Sequence, residues 1–159
     1  MSDITYPIYG WANPAQPTQT VQQVFRKFFS PATPTIVNEI PVCGAIQRIR
    51  QVQTWGVNWD GADALAVPSA AAARATALID KIYSTSSQLN IDWIDPNVTA
   101  SPHGEVVLEW WNNEKKLTIY VNEKLSEYVK VWGPDIDEEM EDGVLSDDQT
   151  ANMLIWLES

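Results

Sequence analysis

Apolar positions recur at two different periods along this chain, and the change of period divides it. Residues 1–19 carry three prolines and no periodicity, so an irregular arm is expected, with Tyr6, Tyr9 and Trp11 as docking groups. TQTVQQVFRKFF then places Val21, Val24, Phe25 and Phe28 at helical spacing, with Thr20 and Gln23 in capping-box positions and Pro31 and Pro34 beyond. A second helix is predicted from about Pro41, with Val42, Ala45, Ile46, Ile49 and Val52 on one face and Gly56 and Asn58 to Gly61 ending it. A third follows Pro68, with Ser69 as its expected cap and Ala71, Ala75, Leu78, Ile79, Ile82 and Tyr83 as its buried stripe.

From residue 97 the period falls to two. In GEVVLEWW, Val106, Leu108 and Trp110 share one face, and Glu105, Val107, Glu109 and Trp111 share the other. In KLTIYV, Leu117, Ile119 and Val121 alternate with Thr118 and Tyr120. Hairpin signals at NNEK and at NEK, residues 122–124, lead to SEYVKVW. Residues 104–132 therefore read as a three-stranded antiparallel meander, with a fourth strand near Asn97 to Ala100. Residues 133–148 are expected to be an acidic loop. SDDQTANMLIWLES closes the chain as a short helix over 147–158, with Ser146 and Gln149 in capping-box positions, Asp147 and Asp148 in the first turn, and Met153, Leu154, Trp156 and Leu157 on its apolar side. The class is α+β in a single domain: N-terminal helices packed on a three- to four-stranded sheet.

Charge sharpens this division. The chain has 159 residues and a net charge of −11, but residues 1–89 are close to neutral and residues 90–159 carry four basic against sixteen acidic side chains. In DIDEEMEDGVLSDD, residues 135–148, eight of the fourteen are acidic and none is basic. Such a field disfavours nucleic acid and anionic membranes, which require Lys and Arg to neutralise phosphates, and favours a basic protein partner. No apolar run approaches the roughly 18 residues of a transmembrane helix, and MSDITYPIYG lacks signal-peptide blocks, so a cytoplasmic protein is expected. One cysteine, Cys43, excludes an intramolecular disulfide.

The spacing W-x-x-x-W-D-G-x-x-A-x-x-P-S from Trp55 to Ser69, an alanine-rich helix, G-E-V-V-L-E-W-W from Gly104 and the K-L-T-I-Y-V strand together resemble a group of small uncharacterised bacterial and phage-type proteins. In that group an N-W-D-G turn and a later G-x-x-x-L-E-W strand recur. The resemblance spans roughly residues 55–132; it implies a shared fold core and brings no activity or catalytic residue with it.

Candidate chemistry is sparse. Trp59-Asp60-Gly61 reads either as a turn, since Asp-Gly is a strong turn dipeptide, or as a recognition carboxylate beside an aromatic platform. Glu105 and Glu109 lie four residues apart on one strand, about 13–14 Å, too far for a glycosidase pair at about 5–9.5 Å. His103 has no second histidine and no nucleophile motif beside it, so a solvated turn histidine is expected. DIDEEMEDGVLSD lacks the spacing of a calcium loop. No cofactor, metal or catalytic residue is assigned.

The leading expectation is a non-enzymatic acidic protein that binds and inhibits a basic, nucleic-acid-handling protein, as an antitoxin, an immunity protein or a phage-type inhibitor imitating the charge of DNA would. Its surface would comprise Trp111, Tyr120 opposite it, and Trp132, with Asp135, Asp137, Glu138, Glu139, Glu141 and Asp142. Trp93, Trp111 and Trp132 need not all fit in one core. Two alternatives stand beside it: a small enzyme or carbohydrate-binding module using Trp59, Asp60 and Glu109, and an assembly protein whose arm reaches a neighbouring subunit. The oligomeric state is left open.

Overall fold

Three helices lie along one face of a five-stranded antiparallel sheet in the computed structural model, which describes residues 42–135 and 137–159, Cys43 by its backbone alone. The described residues belong to one compact unit, Glu39–Ser159. The expected arm and first helix lie outside the described residues. Helix α1 (Cys43–Gln53) buries Val42, Ala45, Ile49 and Val52, and α2 (Ser69–Leu89) buries Ala71, Ala72, Ala75, Ile79 and Ile82. These follow the stripes that the 3.6-residue period predicts, except that Ile46, Leu78 and Tyr83 are only half-buried and Ala72 is buried in addition, and the small alanines let α1 and α2 approach closely. Ser69 does not cap α2: it is the first helical residue, the N-cap position falls on Pro68, and no side chain bonds there. Pro68, with φ fixed near the value observed, starts the helix by geometry instead. Asn90 ends it in the left-handed region, φ 55°.

The strands run in chain order as a meander: β1 (Asn97–Ala100), β2 (Val106–Asn112), β3 (Lys115–Val121), β4 (Ser126–Val131) and β5 (Met140–Val144). The sheet thus has five strands rather than three or four, and the expected acidic loop 133–148 contains β5. The alternation of β2 and β3 orients them as the pattern requires. Val106, Leu108, Trp110, Leu117, Ile119 and Val121 face the helices and are at most 3% exposed. Trp110 also donates its indole N–H to the Ile94 carbonyl at 2.9 Å, so its one polar atom is satisfied in the core.

Helix α3 (Thr150–Glu158) closes the core with Met153, Leu154 and Leu157. It begins later than expected, and only half of the capping box forms. The Ser146 amide donates to Gln149 Oε1 at 2.8 Å, while Ser146 Oγ donates to Asp148 at 2.6 Å instead of accepting from an amide. Asp147 and Asp148 consequently occupy the turn before the helix and not its first turn.

Two sets of contacts tie α1 and the α1–α2 connection to the two ends of β1. Arg48 pairs with Asp95 and donates to the Pro96 carbonyl at 2.9 Å, fixing α1 at the entrance to β1. At the far end of β1 the Leu65 amide donates to the Pro102 carbonyl at 2.9 Å. Gly104 permits this approach: its φ is +81°, and a Cβ there would lie 2.9 Å from the Ala66 carbonyl oxygen.

Candidate partner-binding surface

Residues 58–66 give Trp59-Asp60-Gly61 the bonding of a turn. Asp60 Oδ1 accepts from the Ala62 and Ala64 amides at 2.8 and 3.1 Å, and Asn58 Oδ1 accepts from the Asp63 amide at 3.0 Å. Asn58, Gly61 and Asp63 all have positive φ, so the loop is a series of tight turns that side-chain carbonyls and carboxylates hold closed. Trp59 packs on Trp55 with ring centroids 4.9 Å apart and donates its indole N–H to the Leu65 carbonyl at 3.2 Å.

Glu109 is occupied elsewhere. It lies on β2, on the sheet face turned away from the helices, paired with Lys116 at 2.5 Å and accepting from Asn97 at 3.2 Å. Burial pushes its carboxyl pKa up, but the bonds from Lys116, Asn97 and Thr118 and the Lys116 charge outweigh this and leave it lowered. Asp60 and Glu109 share no bonding partner among the described residues, and the structure does not bring them together as one constellation. Ser101 likewise serves its turn, donating to Glu105 at 2.8 Å and accepting from the His103 amide at 3.2 Å, while His103 is exposed.

The acidic and aromatic residues divide between the two sheet faces. Strand registers put Trp111, Lys116, Val131 and Met140 in one row across β2 to β5, on the face away from the helices. The next row is Glu109, Thr118, Val129 and Asp142, and the third is Val107, Tyr120, Glu127 and Val144. Tyr120 therefore does not sit opposite Trp111: it pairs with Val107, and the Glu109–Thr118 row lies between the two, which are roughly 13 Å apart along the strand. The two still share a face. Trp111 is 58% exposed, Val144 57% and Met140 38%, and Lys116 Nζ lies 4.6 Å above the Trp111 ring.

Trp132 and Glu141 go to the other face. Trp132 meets Trp156 of α3 edge-on at 6.1 Å, and Glu141 accepts from the Tyr128 hydroxyl at 2.8 Å and pairs with Lys130 at 2.7 Å. Those bonds, Lys130 first and then Tyr128, hold the Glu141 carboxyl below its ordinary range, and Glu141 in turn raises the Tyr128 hydroxyl. Trp93 packs edge-on against Tyr83 at 5.4 Å, so of the three surplus tryptophans only Trp111 stays open to solvent.

The chain matches no protein-family model, no curated protein and no solved structure. Its geometry stands alone as the guide to function. Among the described residues no helix is long and apolar enough to cross a membrane, and no group of three or more His, Cys, Asp or Glu is placed to hold a metal ion.

The remaining acids lie in the connection from β4 to β5. Asp135, Asp137 and Glu138 are exposed, whereas Glu139 folds back to accept from the Asp135 amide at 2.9 Å. That connection leaves β4 at Val131 and enters β5 at Met140, which are the last two members of the Trp111 row. Asp135 Oδ1 accepts from the Asp137 amide at 3.1 Å, so an exposed aromatic and an exposed thioether on the outer face share one end of the sheet with three exposed carboxylates, of which Asp137 and Glu138 are unbonded among the described residues. The Met140 end of the row was not legible in the sequence, because it exists only once β5 is paired.

Proposed function

We propose that this protein is a non-enzymatic inhibitor of a basic, nucleic-acid-handling protein, and that the Trp111 end of the outer sheet face is where it binds. The observation that carries the proposal is the adjacency of the Trp111–Met140 row and the exposed carboxylates Asp135, Asp137 and Glu138. A large apolar anchor beside a charged rim is the usual anatomy of a protein interface, with the anchor supplying affinity and the rim supplying steering. Asp142 and Glu127 extend the negative rim across the same face, and Lys116, the one cation among the strand residues on that face, is already paired with Glu109. Glu139 and Glu141, which are bonded within the molecule, contribute to the field without offering free carboxylates.

The reading predicts that the tagged protein retains a basic nuclease or nucleic-acid-binding protein from its native host lysate at low salt and sheds it at high salt. The same partner should escape Asp135→Asn/Asp137→Asn/Glu138→Gln at low salt and escape Trp111→Ala at all salts. Retention of that partner by both variants would exclude this surface. A partner that is acidic, or bound without regard to salt, would exclude the charge-based mechanism.

A further inference from the structure

A groove of about 430 Å³ opens between α2, the β3–β4 turn and the segment leading from β5 into α3. It lies at the Ser126 end of β4, away from the acidic connection that leaves that strand at Val131, and its residues take no part in the partner-binding reading. Of the ten Lys and Arg residues in this strongly acidic chain, three line the groove: Arg74 and Lys81 from α2, and Lys124 from the turn. Asp147 is the one carboxylate among them. Its volume falls within the roughly 300–1,000 Å³ typical of small-molecule sites.

The groove has two cationic poles with an apolar middle. Arg74 and Lys81 are seven residues apart on one face of α2, roughly 10 Å along its axis, and Leu78 lies between them. Arg74 and Lys124 form no ion pair among the described residues; Arg74 reaches only the Glu123 carbonyl, at 3.5 Å. Lys81 is held by the Asp147 carboxylate at 2.6 Å and the Asp147 carbonyl at 2.8 Å. Because the Asp147 side chain is fully exposed, this pair is weak and easily exchanged. Thr150 also lines the groove; it is 4% exposed, and its buried hydroxyl oxygen has no hydrogen-bond partner among the described residues.

We propose that this groove binds a small organic anion bearing phosphate or carboxylate groups, and that Asp147 occupies Lys81 until the ligand displaces it. Arg74 and Lys124 receive one charged end, Lys81 the other, and Leu78 with Leu125 and Leu145 covers the organic part.

The test is a titration of the full chain with ATP, inorganic pyrophosphate and citrate at low ionic strength, followed by amide NMR shifts. Saturable shifts are expected in residues 122–126 and 145–150. Binding of the phosphates alone, or of citrate alone, supports the site and fixes the anion class. Arg74→Ala/Lys124→Ala should weaken binding about tenfold, and Asp147→Asn should tighten it, while Asp80→Asn, which removes an exposed carboxylate beside Lys81 outside the groove, should do neither. All four substituted positions are on the surface or the groove wall, so an unchanged melting temperature separates lost binding from lost fold. No saturable binding, or equal responses to Asp147→Asn and Asp80→Asn, would overturn the proposal.

Discussion

At the scale of single residues, the molecule assigns its carboxylates by what they bond, and Asp60 illustrates the consequence. An acid next to a tryptophan and a glycine can serve recognition or a turn, and nothing in the local sequence separates the two. The structure gives Asp60 Oδ1 two loop amides, the role that a helix-capping oxygen plays at an N-terminus. Removing such an acceptor costs about 0.5–2 kcal/mol. Asp60→Ala should therefore destabilise the fold by about 1 kcal/mol in denaturant unfolding, and Asp60→Asn, which keeps an Oδ1, by distinctly less. Partner binding should be unaffected by either. Loss of a binding activity in Asp60→Asn with unchanged stability would restore the recognition reading. The same logic explains why Glu141 was grouped with the free acids in sequence: a carboxylate's neighbours across a sheet depend on register, which the run DIDEEMEDG does not reveal.

At the scale of elements, legibility followed the strength of the apolar period. α1, α2, β2 and β3 each bury one regular stripe close to the spacing, although Ile46, Leu78 and Tyr83 are only half-buried and Val107 and Thr118 are buried on the outer face as well. β1, only four residues long, was legible because Val98 and Ala100 alternate with Asn97 and Thr99. β5 carried no such signal: MEDGV has three residues that disfavour strands and is exposed along almost its whole length. It is a strand because β4 supplies partners, and Tyr128 and Lys130 both close on Glu141. A charged outer strand also suits an edge, where apolar residues would invite aggregation. This contact makes β5 sensitive to pH in a direction the shifts decide. Glu141 is depressed below its ordinary 4.5, so its contribution is present above that value and lost as pH falls through the lower, folded one. Tyr128 is raised above 10.0, so its contribution holds below that value and is lost as pH rises through the higher, folded one. In unfolding experiments across pH, Glu141→Gln should flatten the acid limb of the stability curve relative to the wild type, and Tyr128→Phe the alkaline limb. Parallel wild-type and Glu141→Gln curves below pH 4.5 would mean that the carboxylate contributes nothing to holding the strand.

At the scale of the whole molecule, charge and apolar surface act over different distances, and this allows the two halves of the proposed interface to be separated kinetically. The acids of residues 90–159 project a field that salt screens beyond a Debye length of about 8 Å at physiological ionic strength, so they act while partners approach. Trp111 acts only after water has been expelled from around its ring. Neutralising Asp135, Asp137 and Glu138 together should therefore slow association of the basic partner, by about tenfold at low salt, and leave its dissociation nearly unchanged. The wild-type and variant rates should converge as salt is raised. Trp111→Ala should do the reverse: a loss of about 2 kcal/mol, typical of a buried aromatic anchor, appears as roughly thirtyfold faster dissociation at every salt concentration. The exposed row contains both Trp111 and Met140, so Met140→Ala should produce a smaller change of the same kind. Stopped-flow association and surface-plasmon dissociation on these variants distinguish the possible outcomes. If the neutralised variant dissociates faster at all salts, the carboxylates are direct contacts and the field is incidental. If Trp111→Ala changes only the association rate, the ring is outside the interface, and the face carrying it must be abandoned in favour of the acidic connection alone.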